Sequence, residues 1–265
     1  MLKDIPAILT SGTLMAGGSF DRTRQLMGLS ENNRMEDFIA VSPFNYEENC
    51  LLYIPGNLPR VQMGSEQEAK CLAEQICRLV EATHGHTLAL FTSYSLMGAV
   101  YNQVKDRLPF PLMEVWRHSQ DVIHQFKRAQ NAVLFAAGSC WEGVDFPGDM
   151  VSSLIIVRLP FPVPDPLSEA EREQYPTLQD YIKMVVIPDM QVKLRQGFGR
   201  AIRTETDTCV VSILDCRASP GERYHRAVLE TLPNLRLTRK IEDVEEFIRQ
   251  RKARIILCRK GDYHR

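Results

Sequence analysis

The sequence predicts an α/β fold in which a mainly parallel β-sheet is flanked by helices. Three observations predict it. From Ser65 onward helical and strand patterns alternate, the order that carries parallel strands through helical crossovers. The strand segments are continuously apolar and rich in β-branched residues, as strands covered on both faces are. The composition, 265 residues at 44% hydrophobic and 25% charged, suits one large or two small globular domains and excludes disorder and collagen-like repeats.

The elements follow in order. Ser65 is placed to cap a helix running to about residue 84, with Glu68, three residues on, reaching back to it in a capping box. A strand at 87–91, a helix at 96–107, a strand at 112–115, a helix at 120–129 and a strand at 132–137 come next, then strands at 151–157 and 208–214. The run RLPFPVPDP, with prolines at 160, 162, 164 and 166, fits neither a sheet ladder nor a helix interior and predicts a stiff surface excursion. In segment 242–254 acids come early and Arg249, Arg251, Lys252 and Arg254 late, the order a helix dipole favours, which predicts a solvated docking helix. There is no internal repeat, and the pattern assigns no element to residues 24–58.

Charge and cysteine usage exclude several classes of function. Thirty-two Lys and Arg against thirty-three Asp and Glu leave a net charge of −1, so any nucleic-acid contact is local. Seven cysteines, an odd number with no C-x-x-C pair, argue against a zinc site or a disulfide framework and for a reducing compartment. The N-terminus lacks a signal-peptide pattern and no apolar run reaches bilayer length, so a soluble, cytoplasmic protein without membrane contact is expected. His84-Gly85-His86 reads as a surface turn rather than a ligand set.

The segment richest in chemistry is QGFGRAIR, residues 196–203. At helical spacing Gln196, Arg200 and Arg203 share one stripe, while Leu194, Phe198 and Ala201 face the other way and can pack on the sheet. Two guanidiniums on a buried platform suit a phosphate clamp or a phosphoryl-transfer transition state. The plainer reading is arginines satisfying a helix C-terminus. Gly197 and Gly199 weigh against it, because glycine weakens a helix by about 1 kcal/mol and so marks a close approach. The fragment is no dinucleotide fingerprint, since Ile202 stands where a third glycine belongs.

Three further segments stand at strand ends. GSCWEGVDFPGD, residues 138–149, leaves the carboxyl end of the 132–137 strand, where open α/β sheets bind ligands. There Glu142 and Asp145 flank Gly143 and can accept from a sugar hydroxyl or an arginine; the simpler alternative is a tight turn at Pro147-Gly148. Thr92 and Ser93 in FTSYS can hold a phosphate or merely cap the next helix. TSGTL, residues 10–14, is another hydroxyl-rich strand end.

In this order, TSGTL, LFTSYS, GSCWEGVDFPG and QGFGRAIRTETD resemble motifs three to six of the DinG and XPD type of superfamily-two DNA helicase, on the bacterial DinG side. LPFPVPDP and VVSILDCR (residues 210–217) match as well, so the resemblance covers nearly the whole chain. It implies a RecA-like second motor domain, residues 16–265, with residues 1–15 closing the first motor domain. It also implies ATP with Mg²⁺ as cofactor and single-stranded DNA and the N-terminal motor domain as partners. Arg200 and Arg203 would be arginine fingers and Gln196 a phosphate sensor. Glu142, Gly143, Asp145 and Gly199 would line the nucleotide cleft. Thr92 and Ser93 would touch the DNA backbone, and Thr10, Ser11 and Thr13 would couple nucleotide state to DNA grip. Cys140 departs from the family, which more usually has an aromatic before Trp141.

A larger departure is that the sequence holds no G-x-x-x-x-G-K-[S/T] phosphate loop and no D-E-A-H-like acidic run. The chain is therefore expected to be a fragment of a longer helicase, inactive alone, with the Mg²⁺ ligands and any iron–sulfur cysteines in the other half. The competing expectation is a truncated, non-catalytic module that binds nucleic acid or a partner. A Rossmann-type cofactor enzyme ranks behind both, for want of the fingerprint.

Overall fold

The computed structural model describes residues 6–30, 34–116, 120–141, 144–146 and 150–252. In chain order the elements are α1 (Asp21–Leu26), α2 (Tyr46–Asn49), β1 (Cys50–Tyr53), α3 (Glu66–Ala82), β2 (Thr87–Phe91), α4 (Tyr94–Val104), β3 (Leu112–Val115), α5 (Gln120–Arg128), β4 (Val133–Ala137) and β5 (Ser153–Ile156). Then come α6 (Pro166–Arg172), α7 (Leu178–Tyr181), a π-helical turn (Ile182–Val186), α8 (Ile187–Phe198), β6 (Cys209–Ile213), α9 (His225–Thr231), β7 (Arg236–Thr238) and α10 (Ile241–Arg251).

The seven strands form one sheet in the order β3-β4-β2-β5-β6-β1-β7, and every pairing is parallel. Register follows the alternation of side chains. Leu52, Leu88, Leu90, Leu134, Leu154 and Val211 point to one face, where they meet Trp141, Met190, Leu194 and Phe198. Leu51, Ala89, Phe91, Phe135, Ile155 and Val210 point to the other, against α3, α4 and α10. Each such large side chain contributes about 1.5–3 kcal/mol by leaving water. This two-sided burial is why the strands are continuously apolar.

Several expectations are refined. Ser65 Oγ accepts from the Glu68 amide at 3.2 Å, but the Glu68 carboxylate takes the Gly64 amide (2.6 Å) and Arg158 Nε (2.8 Å) instead of the cap residue, so the box is half formed. Buried Glu68 is drawn to the cation. The His84-Gly85-His86 turn is packed rather than superficial: a side chain on Gly85 (φ +79°) would lie 2.0 Å from the Asn131 carbonyl oxygen. The proline-rich run leads into α6, with Pro166 in its first turn and Asp165 and Ser168 capping each other reciprocally. α10 buries Val244, Phe247 and Ile248. Two short strands, β1 and β7, and the helical run 178–193, ahead of the helix expected around Gln196, have no counterpart among the elements expected from the sequence pattern. In that run the π turn precedes Pro188, whose missing N–H and bulky ring disfavour regular α geometry there.

Candidate functional site

The site is built on the C-terminal end of α8. Gly197 lies against the indole of Trp141 so closely that a Cβ would stand 2.8 Å from Cζ3, and Trp141 is itself anchored by Nε1–H donating to the Phe91 carbonyl at 2.9 Å. The close approach expected at the glycine pair is therefore real at Gly197. At Gly199 the nearest atoms are only its own helix's last carbonyls.

The expected helical stripe does not continue to Arg203. α8 ends at Phe198, and the Arg200 and Ala201 amides tighten onto the carbonyls three residues back, at 3.0 and 2.8 Å. Arg203 lies beyond, in a loop fixed by Asp207, whose buried carboxylate accepts from the amides of Arg203 (2.8 Å) and Thr204 (2.9 Å) and from Thr204 Oγ1 (2.7 Å). Ala201 and Ile202 are buried and pull the turn back onto the domain.

Turn geometry thus accomplishes what helical spacing does not. Arg200 donates to the Val144 and Trp141 carbonyls, and Arg203 Nε stands 3.1 Å from Asp145 Oδ1. Val144, Asp145, Arg200 and Arg203 line one open pocket. Beside it a cleft of about 530 Å³ is lined by Gly12, Thr13, Gln196, Gly199, Arg200 and Arg203, joined by Arg195, Ser42 and Tyr46. Three arginines and no carboxylate line this cleft among the described residues, a donor set that fits a polyanion such as a phosphate chain.

A protein-family model described as helicase C-terminal domain matches residues 76–235. The chain belongs to the helicase C-terminal domain family. It is 36% identical over 253 residues to the ATP-dependent DNA helicase YoaA of Haemophilus influenzae, covering 94% of this chain and 38% of that protein. It is 33% identical over 229 residues to the ATP-dependent helicase DinG of Mycobacterium tuberculosis, covering 85% of this chain and 34% of that protein. The chain therefore spans little more than a third of either relative. Its fold matches that of apo XPD with a TM-score of 0.57 over 72% of this chain and 40% of that one, at 23% identity. RecA-like architecture is thereby shown.

Other expected site residues of this helicase C-terminal domain stand elsewhere. Ser11 is exposed and bonds Thr13, Oγ to Oγ1, at 3.2 Å. Thr10 is exposed nearby in sequence. Thr92 and Ser93 sit at the carboxyl end of β2 and do not line the arginine cleft; Ser93 Oγ accepts from the Leu96 amide at 3.2 Å, so it caps α4. Glu142, Gly143 and the Pro147-Gly148 turn lie outside the described residues. Cys140 is fully buried, and burial pushes its thiol pKa up against the opposing pull of nearby Arg200. No described helix is long and apolar enough to cross a membrane, and no described group of side chains could hold a metal ion.

Three supports went unread in the sequence of this helicase C-terminal domain. Arg195 donates Nη2 to the Thr231 carbonyl at 3.0 Å, and burial lowers its pKa. Asp207 closes a Thr-x-x-Asp pattern with Thr204, a local tie legible in the sequence. Asp215 Oδ2 accepts from the Leu159 amide at 2.9 Å and grips Arg217 at 2.7 Å, which pins the start of the proline-rich run.

Proposed function

We propose that this chain is the second motor domain of an ATP-dependent DNA helicase, with residues 1–15 belonging to the end of the first. The observation that carries the reading is the convergence of Arg200 and Arg203, from a turn rather than a helix face, on one open pocket beside a cleft that no described carboxylate lines. The names of the relatives, ATP-dependent helicases, support the cofactor and the substrate.

In this reading ATP supplies the phosphoryl group and its leaving charge, with Mg²⁺ held by the first motor domain. Arg200 and Arg203 act as arginine fingers. Arg200 is oriented by the Val144 and Trp141 carbonyls, which hold its position without neutralising its charge. Arg203 rests on Asp145, which is largely exposed, so a phosphate oxygen can replace that carboxylate at small cost. Gln196 senses the phosphate from the last turn of α8, and Gly199 lines the nucleotide side. Thr13 carries the state of the cleft to Ser11 and Thr10. Thr92 and Ser93 contact the backbone of single-stranded DNA from the carboxyl edge of the sheet.

The test is DNA-stimulated ATP hydrolysis by the full-length protein. Arg200→Ala and Arg203→Ala each slow turnover about 10³-fold while leaving the fold intact, as loss of an arginine finger does. Undiminished turnover overturns the finger assignment, and a full-length protein with no ATPase activity favours the non-catalytic binding module.

A further inference from the structure

The carboxyl edge of the sheet carries an aromatic ledge. Tyr94, the first residue of α4, follows Ser93 directly, and its ring stacks on Trp116 at a centroid distance of 5.6 Å and an interplanar angle of 15°. Trp116 follows β3, whereas Tyr94 follows β2, and β4 lies between those strands in the sheet. To bridge the gap Tyr94 passes over Gly138, the residue after β4. A Cβ on Gly138 would stand 2.8 Å from the Tyr94 hydroxyl, and its φ of +63° favours glycine in any case. The backbone of three strand ends is thus shaped to let two rings lie face to face.

Trp116 remains 44% exposed, whereas Trp141, the other tryptophan, is 1% exposed. Indole and phenol rings are the side chains enriched where a surface makes contacts. One face of the indole is backed by Tyr94 and its benzo edge lies beside Gly98 of α4, while nearly half of the side chain stays open to solvent.

We propose that Trp116, backed by Tyr94, is a stacking platform for a base of single-stranded DNA. The occupant follows from position: the ledge is continuous with Thr92 and Ser93, so a strand whose phosphates meet those hydroxyls has its bases within reach of the rings. Stacking on an aromatic face is tolerant of sequence, as a translocating motor requires. The inference rests on the helicase reading and adds to it a base contact that the motif residues do not supply.

The two tryptophans make the test direct. Fluorescence of the full chain is followed as oligo(dT) is added, while binding is measured separately by anisotropy of a labelled oligo(dT). Trp116 emission is quenched in parallel with binding, and Trp116→Phe loses the quenching yet binds nearly as well. Trp116→Ala weakens binding about tenfold, the size of one lost stacking contact. An abasic oligonucleotide of equal length binds without quenching. Binding of oligo(dT) without quenching, or with Trp116→Ala unaffected, overturns the platform and leaves the helicase reading standing. No binding of oligo(dT) by the chain overturns both.

Discussion

At the scale of single residues, Gly197 and Asp207 decide where the two arginines stand, and each makes a prediction. Gly197→Ala drives a methyl into Trp141, whose indole is locked by its bond to Phe91, so neither partner can yield freely. Such overpacking costs about 1–3 kcal/mol, read as a lowered urea midpoint. Asp207→Ala leaves the Arg203 and Thr204 amides without their acceptor in a buried turn. That costs about 1–3 kcal/mol. Because Arg203 also loses its placement, ATP hydrolysis by the full-length protein falls by up to about 100-fold, as a misplaced catalytic group does. Arg195 sits one residue before Gln196 with a guanidinium that burial destabilises and no described carboxylate beside it in the cleft. Arg195→Met is expected to raise KM for ATP about tenfold with kcat retained, the cost of one charge-assisted contact. An unchanged KM assigns Arg195 to holding α9 through the Thr231 carbonyl. The identities of Arg200 and Arg203 were legible in the sequence. Their geometry was not, because it depends on Val144, Asp145 and Asp207, contacts that no helical projection contains.

At the scale of elements, legibility tracked the length and covering of each segment. β2 coincides with the apolar run at 87–91, as a strand covered on both faces does, and β3 with the run at 112–115, although as an edge strand carrying Glu114 it is only partly buried. β1 is as long as β3 and as buried as β2, so its CLLY run was legible in principle, whereas β7, three residues of which two are exposed, is too short for a period to register. The helical run 178–193 escaped because Pro188 and the π turn interrupt its period. That run is also where the N-terminal segment docks: Arg22 is buried and reaches Asp189 at 2.8 Å and Glu171 at 2.5 Å, joining α1 to α6 and α8. Burial lowers the pKa of Arg22, and hydrogen bonds to the two acids more than reverse this and raise it. Arg22→Met leaves two carboxylates facing each other without their cation. Asp189 and Glu171 keep 29% and 24% exposure, so solvent screens them and the expected loss is about 1–3 kcal/mol rather than the full value for a sealed pair. Adding Asp189→Leu restores part of that loss, because an apolar pair needs no desolvated charge. A double variant no more stable than the single one refutes the account.

At the scale of the whole molecule, one sheet separates two duties. The arginine cleft lies at the C-terminal end of α8, on the face lined by Leu90, Leu134 and Val211, whereas Thr92, Ser93, Tyr94 and Trp116 lie along the carboxyl edge. Trp141 links them: its backbone carbonyl receives Arg200, its ring backs Gly197, and its Nε1–H holds the carbonyl of Phe91, the residue before Thr92. Packed atoms thus connect the arginine turn to the strand end that carries the proposed DNA contacts. With a net charge of −1 the chain has no broad field to draw DNA in, so binding rests on these local groups. Hydroxyls and rings release few counterions, whereas each phosphate neutralised by a cation contributes about 0.7 to the salt slope on single strands. The expected slope of log K against log[salt] for this chain alone is therefore shallow, about −1 to −2. Trp116→Ala is expected to lower affinity at every salt concentration without changing that slope. A steep slope, or one that changes with Trp116→Ala, places the DNA on a basic surface instead of the carboxyl edge.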